Sequence, residues 1–134
     1  MTIKYSNTVK DAKLDAIETA ISTAPLLSLW TGSVPTATTD ANTGTMVAQM
    51  TLPSDWMAAS SGGVKAKSGT WQDTSADNAG TVTYFRIHNS GGTLCHIQGT
   101  VSNTGGGGDM TLDNNVVGAG QAITVSTFSI TTGN

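Results

Sequence analysis

The sequence predicts a mainly β chain: one β-sandwich or jelly-roll-like domain of about seven short strands, preceded by a single N-terminal α-helix. Three observations carry that expectation. From about residue 25 onward, short alternating runs are repeatedly cut by clusters of Gly, Ser, Thr, Asn or Asp. No long amphipathic pattern follows the first segment. Charged residues are only 11% of the 134, so Thr, Ser, Asn and Gly fill the polar positions, a composition suited to a pleated, half-wet surface. The expected organisation is a helical segment over residues 1–24 and a β-sandwich domain over 25–134.

The helix is expected over residues 8–21. Asn7 or Thr8 can cap it, and Asp11 then falls in the first turn, where the helix dipole favours an anion. Leu14, Ile17 and Ile21 form one narrow apolar stripe, and Pro25 closes the segment. Strands are then expected at Leu26–Gly32, Thr45–Leu52, Val64–Trp71, Gly80–Asn89, Thr93–Val101, Met110–Asn114 and Gln121–Gly133. Between the first two lies a loop by composition, and Pro53–Gly63 reads as a turn in which Trp56 and Met57 could plug one end of the sandwich.

The firmest pairing joins Gly80–Asn89 to Thr93–Val101 as a hairpin through Ser90-Gly91-Gly92. Cys95, Ile97, Gly99 and Val101 should share a face of the returning strand. The last strand changes its inward set from Ile123 and Val125 to Phe128 and Ile130, which predicts a bulge near Ser126–Thr127.

The length fits one domain. The formal net charge of −3, from six basic and nine acidic residues, argues against a sequence-independent nucleic-acid binder, which needs a concentrated Lys/Arg field. The single cysteine, Cys95, excludes an internal disulfide framework. Neither an apolar signal-peptide core nor an apolar run of about 18 residues occurs, so synthesis in a reducing cytoplasm and no membrane partner are expected.

Reactive chemistry finds little to start from. Gly105–Gly108 resembles a phosphate loop only until Asp109, where Lys and then Ser/Thr are needed; a flexible turn is the plainer reading. His88, Cys95 and His96 come near one another across the hairpin, yet adjacent strand residues point to opposite faces and no zinc spacing is present. Asp73, Asp77 and Asn78 in one loop, and Asp109, Asp113 and Asn114 in another, miss the calcium-loop spacing and suit turn hydrogen bonds. Asp55 and Glu18 have no evident carboxylate partner for glycosidase work. The expectation is no enzyme, no catalytic or metal residue and no cofactor.

The stretch LPSDWMAASSGGVKAKSGTWQDTSADNAGT, followed in order by YFRI, TLCHIQGTV, GGGGDMTLDN and AGQAITVSTFSITTGN, resembles a group of small virion structural proteins of tailed bacteriophages. The opening KYSNTVKDAKLDAIETAI is similar to the helical start of that group, and Thr36–Thr43 is the weakest part of the likeness. The ordered series carries it, since no single short motif is diagnostic. The resemblance implies a non-enzymatic building block of a phage particle, made in the host bacterial cytoplasm and located in the virion. A capsid decoration or cement protein is the first expectation, a homo-oligomer that bridges copies of the major capsid protein. A tail tube, terminator or fibre-associated subunit is the alternative, and a carbohydrate-binding β-sandwich for host attachment a third. The expected interface residues are the helix stripe Leu14, Ile17 and Ile21, with Trp30, Trp56 and Trp71 as exposed aromatic anchors.

Overall fold

One helix and eleven short strands form among residues 2–132, the residues described in the computed structural model; residues 1, 133 and 134, at the ends of the two expected segments, lie outside them. The helix, α1 (Asn7–Ile21), begins slightly earlier than its apolar pattern suggests. Ser6, not Asn7 or Thr8, is the cap, and its hydroxyl accepts from the Val9 amide at 3.3 Å. That start moves Asp11 out of the first turn. Its carboxylate accepts instead from the Gly63 amide at 2.8 Å, which ties the helix to the β body. The helix stops at Ser22, whose amide donates to the Glu18 carbonyl at 2.8 Å with a left-handed φ of 73°.

The strands are β1 (Leu26–Trp30), β2 (Met46–Thr51), β3 (Val64–Ala66), β4 (Gln72–Asp73), β5 (Gly80–Thr81) and β6 (Tyr84–His88), followed by β7 (Cys95–Asn103), β8 (Met110–Leu112), β9 (Val116–Val117), β10 (Ile123–Thr124) and β11 (Ser129–Thr131). Five of them form one sheet in the order β2-β1-β6-β7-β8. The predicted hairpin is present as β6–β7, with Arg86 opposite Gln98 and Ile87 opposite Ile97. Gly80–Thr81 leaves that hairpin and pairs with β9 instead.

β8 runs parallel to β7, with Val101 opposite Met110. Parallel neighbours usually need a crossover of a dozen or more residues; here residues 104–109 suffice. The four glycines make so short a return possible. Gly105 and Gly107 take φ of 86° and 83°, and a Cβ on Gly108 would lie 2.7 Å from the Ser102 nitrogen. The run expected as a flexible turn is a packed one.

The second layer is built from three chain segments. β11 pairs with β3 and β10 with β4. Between those ladders the Lys67 amide donates to the Phe128 carbonyl and the Val125 amide to the Trp71 carbonyl. The register shifts by one residue between these two bonds, so the buried set passes from Ile123 and Val125 to Phe128, as the sequence predicts. Isolated bridges Met57–Lys67 and Ser61–Val64 add a third segment. Breaks of this kind divide two of the seven expected strands, Gly80–Asn89 into β5 and β6 and Gln121–Gly133 into β10 and β11, while β4 and β9 fall in segments expected as turns.

The core lies between the layers. Leu27, Leu29, Phe85 and Ile87 face it from the sheet. Trp56, Trp71 and Phe128 answer from the other side, in a chain of ring contacts with centroids 6.1, 5.5 and 5.6 Å apart that ends on Phe85. A bulge opposite Leu29 and Trp30 turns Val47 inward as well, so β2 buries both Val47 and Ala48.

Candidate assembly surface

The opposite face of the sheet is also covered, by the connection between β1 and β2. Arg86, only 2% exposed, anchors it. Its guanidinium donates to the carbonyls of Ala37 (3.3 Å), Thr38 (2.9 Å) and Asp40 (3.0 Å), and to the side-chain oxygens of Asn42 (2.6 Å) and Gln98 (3.1 Å). Gln98 in turn donates to the Pro35 carbonyl at 2.6 Å. The Tyr84 hydroxyl accepts from the Thr43 amide at 2.9 Å and donates to the Thr43 carbonyl at 2.7 Å. The segment the sequence marked only as a loop is therefore a strap laid flat on the sheet.

A second buried cation holds α1. Lys65 is 2% exposed while its neighbour Val64 is 42% exposed, the reverse of their hydropathy. The Lys65 ammonium reaches Asp15 at 2.8 Å, Glu18 at 2.7 Å and the Ala58 carbonyl at 2.8 Å. Burial works against this charge, but the two carboxylates outweigh it and hold Lys65 above its usual value of 10.5. Hydrogen bonds from Lys65 and then Ser60 hold Asp15 below its usual 3.8.

These anchors decide which expected interface residues stay accessible. Trp56 and Trp71 are fully buried in the core, and Leu14 and Ile21 are buried beneath the helix. The expectation that the tryptophans are exposed anchors is corrected for these two, because the thin core needs their volume. The Trp56 indole donates to the Ser22 carbonyl at 3.0 Å, tying the core to the end of the helix. Trp30 is half-buried, stacked on Tyr84 at 6.2 Å with its indole donating to the Ser28 hydroxyl at 2.8 Å. Of the helix stripe, only Ile17 keeps part of its surface.

Ile17 opens onto an apolar groove of about 390 Å³, lined by Ile17, Ala20, Ile21, His96, Ile97 and Ile130. A second hollow of about 280 Å³ shares Ile97 and Ile130 and continues past Phe85 and Phe128 to Asp109. The two make one cleft between β7 and β11. Its cause is topological. The second layer ends at β11, which among the described residues pairs only with β3, while the facing sheet continues through β7 and β8. Gly99 deepens the floor, where a Cβ would sit 2.8 Å from the Phe85 ring. The sequence signals that bear on this cleft are Gly99 inside a strand and the helix stripe; neither shows which layer stops short.

The hairpin thiol is separated from His96 but not from His88. A bulge between Ile87 and His88 sets Cys95 opposite His88, on the strap side, so Cys95 does not share the face of Ile97 as expected. His96 lines the groove on the other side. Burial pushes the Cys95 thiol up, against the pull of Arg86, and so favours the protonated form. Burial, then Arg86 and His96, push His88 down. Among the described residues, no group of three or more His, Cys, Asp or Glu side chains could hold a metal ion, and no helix is long and apolar enough to cross a membrane. Comparison with family models, curated proteins and solved structures finds no match to this chain.

Proposed function

We propose that the chain is a non-enzymatic structural subunit of a tailed-bacteriophage virion, a decoration or cement protein that forms homo-oligomers and bridges copies of the major capsid protein on the head. The observation that carries this reading is the open apolar cleft beside an unpaired strand edge, on a body with only 11% charged residues. A charge-poor surface with one uncovered apolar strip suits burial in an assembly. The ordered sequence likeness to virion proteins points the same way. The two-layer, sandwich-like body would act as a rigid tile. Each contact need bury only about 1,600 Å² to be stable, and a lattice multiplies it by avidity.

Binding to phage heads that lack the protein tests this reading. The expected result is saturable co-sedimentation and a higher temperature of DNA release. Heads that neither bind the chain nor gain stability from it would overturn the head assignment, and labelling confined to tails would move it to the tail alternative. The sugar-binding alternative is disfavoured on physical grounds, because Trp56 and Trp71 have no exposed ring face on which a sugar could stack.

A further inference from the structure

The cleft between β7 and β11 lacks one strand, and the chain carries a segment suited to fill it. Phe128 and Thr132 bond toward β3 through the Phe128 carbonyl and the Thr132 amide. In an antiparallel ladder the intervening Ser129 and Thr131 therefore turn their backbone groups the other way, toward the cleft they line. A strand added there would bond to that edge. Its alternate side chains would drop onto Ile97, Ile130 and the floor at Gly99.

Residues 2–6, Thr-Ile-Lys-Tyr-Ser, alternate in the required way. Ile3 is 70% exposed and Tyr5 41% exposed, with the Lys13 ammonium 4.5 Å from the Tyr5 ring centroid. In an extended conformation both side chains fall on one face. The segment's only charged residue is Lys4, and Asp109, of opposite sign, lines the cleft. Within one copy the segment cannot reach the Ile17 end of the cleft. Ser6 is fixed as the helix cap, and along α1 it lies roughly 16 Å from Ile17, which lines the groove. Ile3, three residues before Ser6, reaches at most about 11 Å.

We propose that residues 2–6 of one copy dock in the β7–β11 cleft of a second copy, adding a strand to β11 and burying Ile3 and Tyr5. This rests on the homo-oligomeric part of the function proposed above, and names the surface that makes the oligomer. Each copy then offers one arm and one cleft, so the contact closes either reciprocally or around a ring.

Sedimentation of the purified full chain tests it, beside Ile3→Asp and Tyr5→Asp, whose exposed positions leave the fold intact. Self-association should weaken by at least about tenfold in each variant, the scale of losing one buried anchor. In a Cys95→Ser background, a chain carrying Ile3→Cys should form a disulfide with one carrying Ile97→Cys, and far less with one carrying Leu94→Cys, an exposed position outside the cleft. A wild-type chain that stays monomeric at about 100 μM, well above the dissociation constant of a specific contact, would overturn the proposal. So would assembly unaffected by both arm variants, or equal cross-linking at 94 and 97. If the oligomer persists without the arm and still binds heads, only the docking proposal falls. If the arm docks and heads remain bare, only the virion reading falls.

Discussion

On one face of the five-stranded sheet, Leu27, Leu29, Phe85 and Ile87 meet Trp71 and Phe128; on the other, Tyr84, Arg86 and Gln98 grip the β1–β2 strap by its backbone. Both faces bury their strand residues, and all of Tyr84, Phe85, Arg86 and Ile87 are buried. The means differ. Apolar burial is non-directional and spread over many atoms, so it is lost only when the layers separate. The strap depends on a few directional bonds converging on one guanidinium. All five of its acceptors are neutral oxygens. The inner face should therefore set global stability, and the outer face the order of one segment.

The largest expected effect is on the inner face. Trp71→Ala removes the central ring of the Trp56–Trp71–Phe128–Phe85 chain. It should cost about 3–5 kcal/mol, a large part of a small domain's stability. Urea unfolding followed by tryptophan fluorescence and by far-UV circular dichroism should show one transition displaced to lower urea. A loss below about 1 kcal/mol, the scale of a surface change, would mean that the two layers do not depend on each other.

Arg86→Met sharpens the contrast. It keeps an unbranched stem and leaves the carbonyls of Ala37, Thr38 and Asp40 without their donor. Because the strap lies at the surface, water can replace the guanidinium, and the loss should be smaller, about 1–3 kcal/mol. The distinguishing readout is limited proteolysis: cleavage should appear within residues 36–42 while the core stays protected. A variant that instead unfolds as a whole would show that the strap is part of the core.

The helix is held by a polar anchor too, but one whose acceptors titrate. Asp15 lies below its usual 3.8, so its contribution is complete above that pH and fades as pH falls through the lower folded value. Lys65 lies above 10.5, so its contribution is complete below that pH and fades as pH rises past the folded value. Amide exchange of α1 should accelerate, relative to that of β1 and β6, on going from about pH 6 to pH 3, a range that spans the carboxylate values. The Arg86 contacts, made to carbonyl and amide oxygens, have no such dependence. In Lys65→Met the acid acceleration should shrink, and stability at neutral pH should also fall, because one partner of the pair is removed while Asp15 and Glu18 remain. An unchanged pH response in that variant would break the assignment.

Both polar anchors were hard to read in the sequence, for the same reason. Alternation marked β1, β2, β6 and β7 and the β6–β7 hairpin, because one face of each is apolar, but it passed over the two-residue strands β4 and β9. It also located the register change near Ser126–Thr127. Alternation assigns Arg86 and Lys65 to the solvent side, since it carries no term for a distant segment that returns to cover a cation. Asp11, Asp15 and Glu18, spaced four and three apart on the helix, were the available sign of a buried lysine; nothing comparable marks the strap, whose acceptors are mostly backbone. The cleft was half legible. Ile17 was in the predicted stripe, but the missing strand beside β11 is a property of layer order, which local patterns do not encode. Trp56 and Trp71 were expected as exposed anchors; the scarcity of aromatics is why the core consumes them.

The smallest effect is expected where the helix joins the inner core. Ser22 has φ 73° and ψ −161°, a region that only glycine enters without strain. The Trp56 indole holds its carbonyl, and the Ser22 amide is held by Glu18. Core packing of Trp56 thus fixes a conformation that the residue itself resists. Ser22→Gly removes the steric conflict and keeps both backbone hydrogen bonds, at the cost of a more flexible unfolded chain. The strain relieved should slightly exceed that entropy, giving a gain of up to about 1 kcal/mol, visible as a rise in the urea midpoint at constant slope. Loss of stability would mean that Ser22 is not strained at this joint. The gain should also disappear in Trp56→Phe, which lacks the indole donor, if Trp56 is what imposes the conformation; an equal gain in both backgrounds would place the strain in the helix terminus and not in the core.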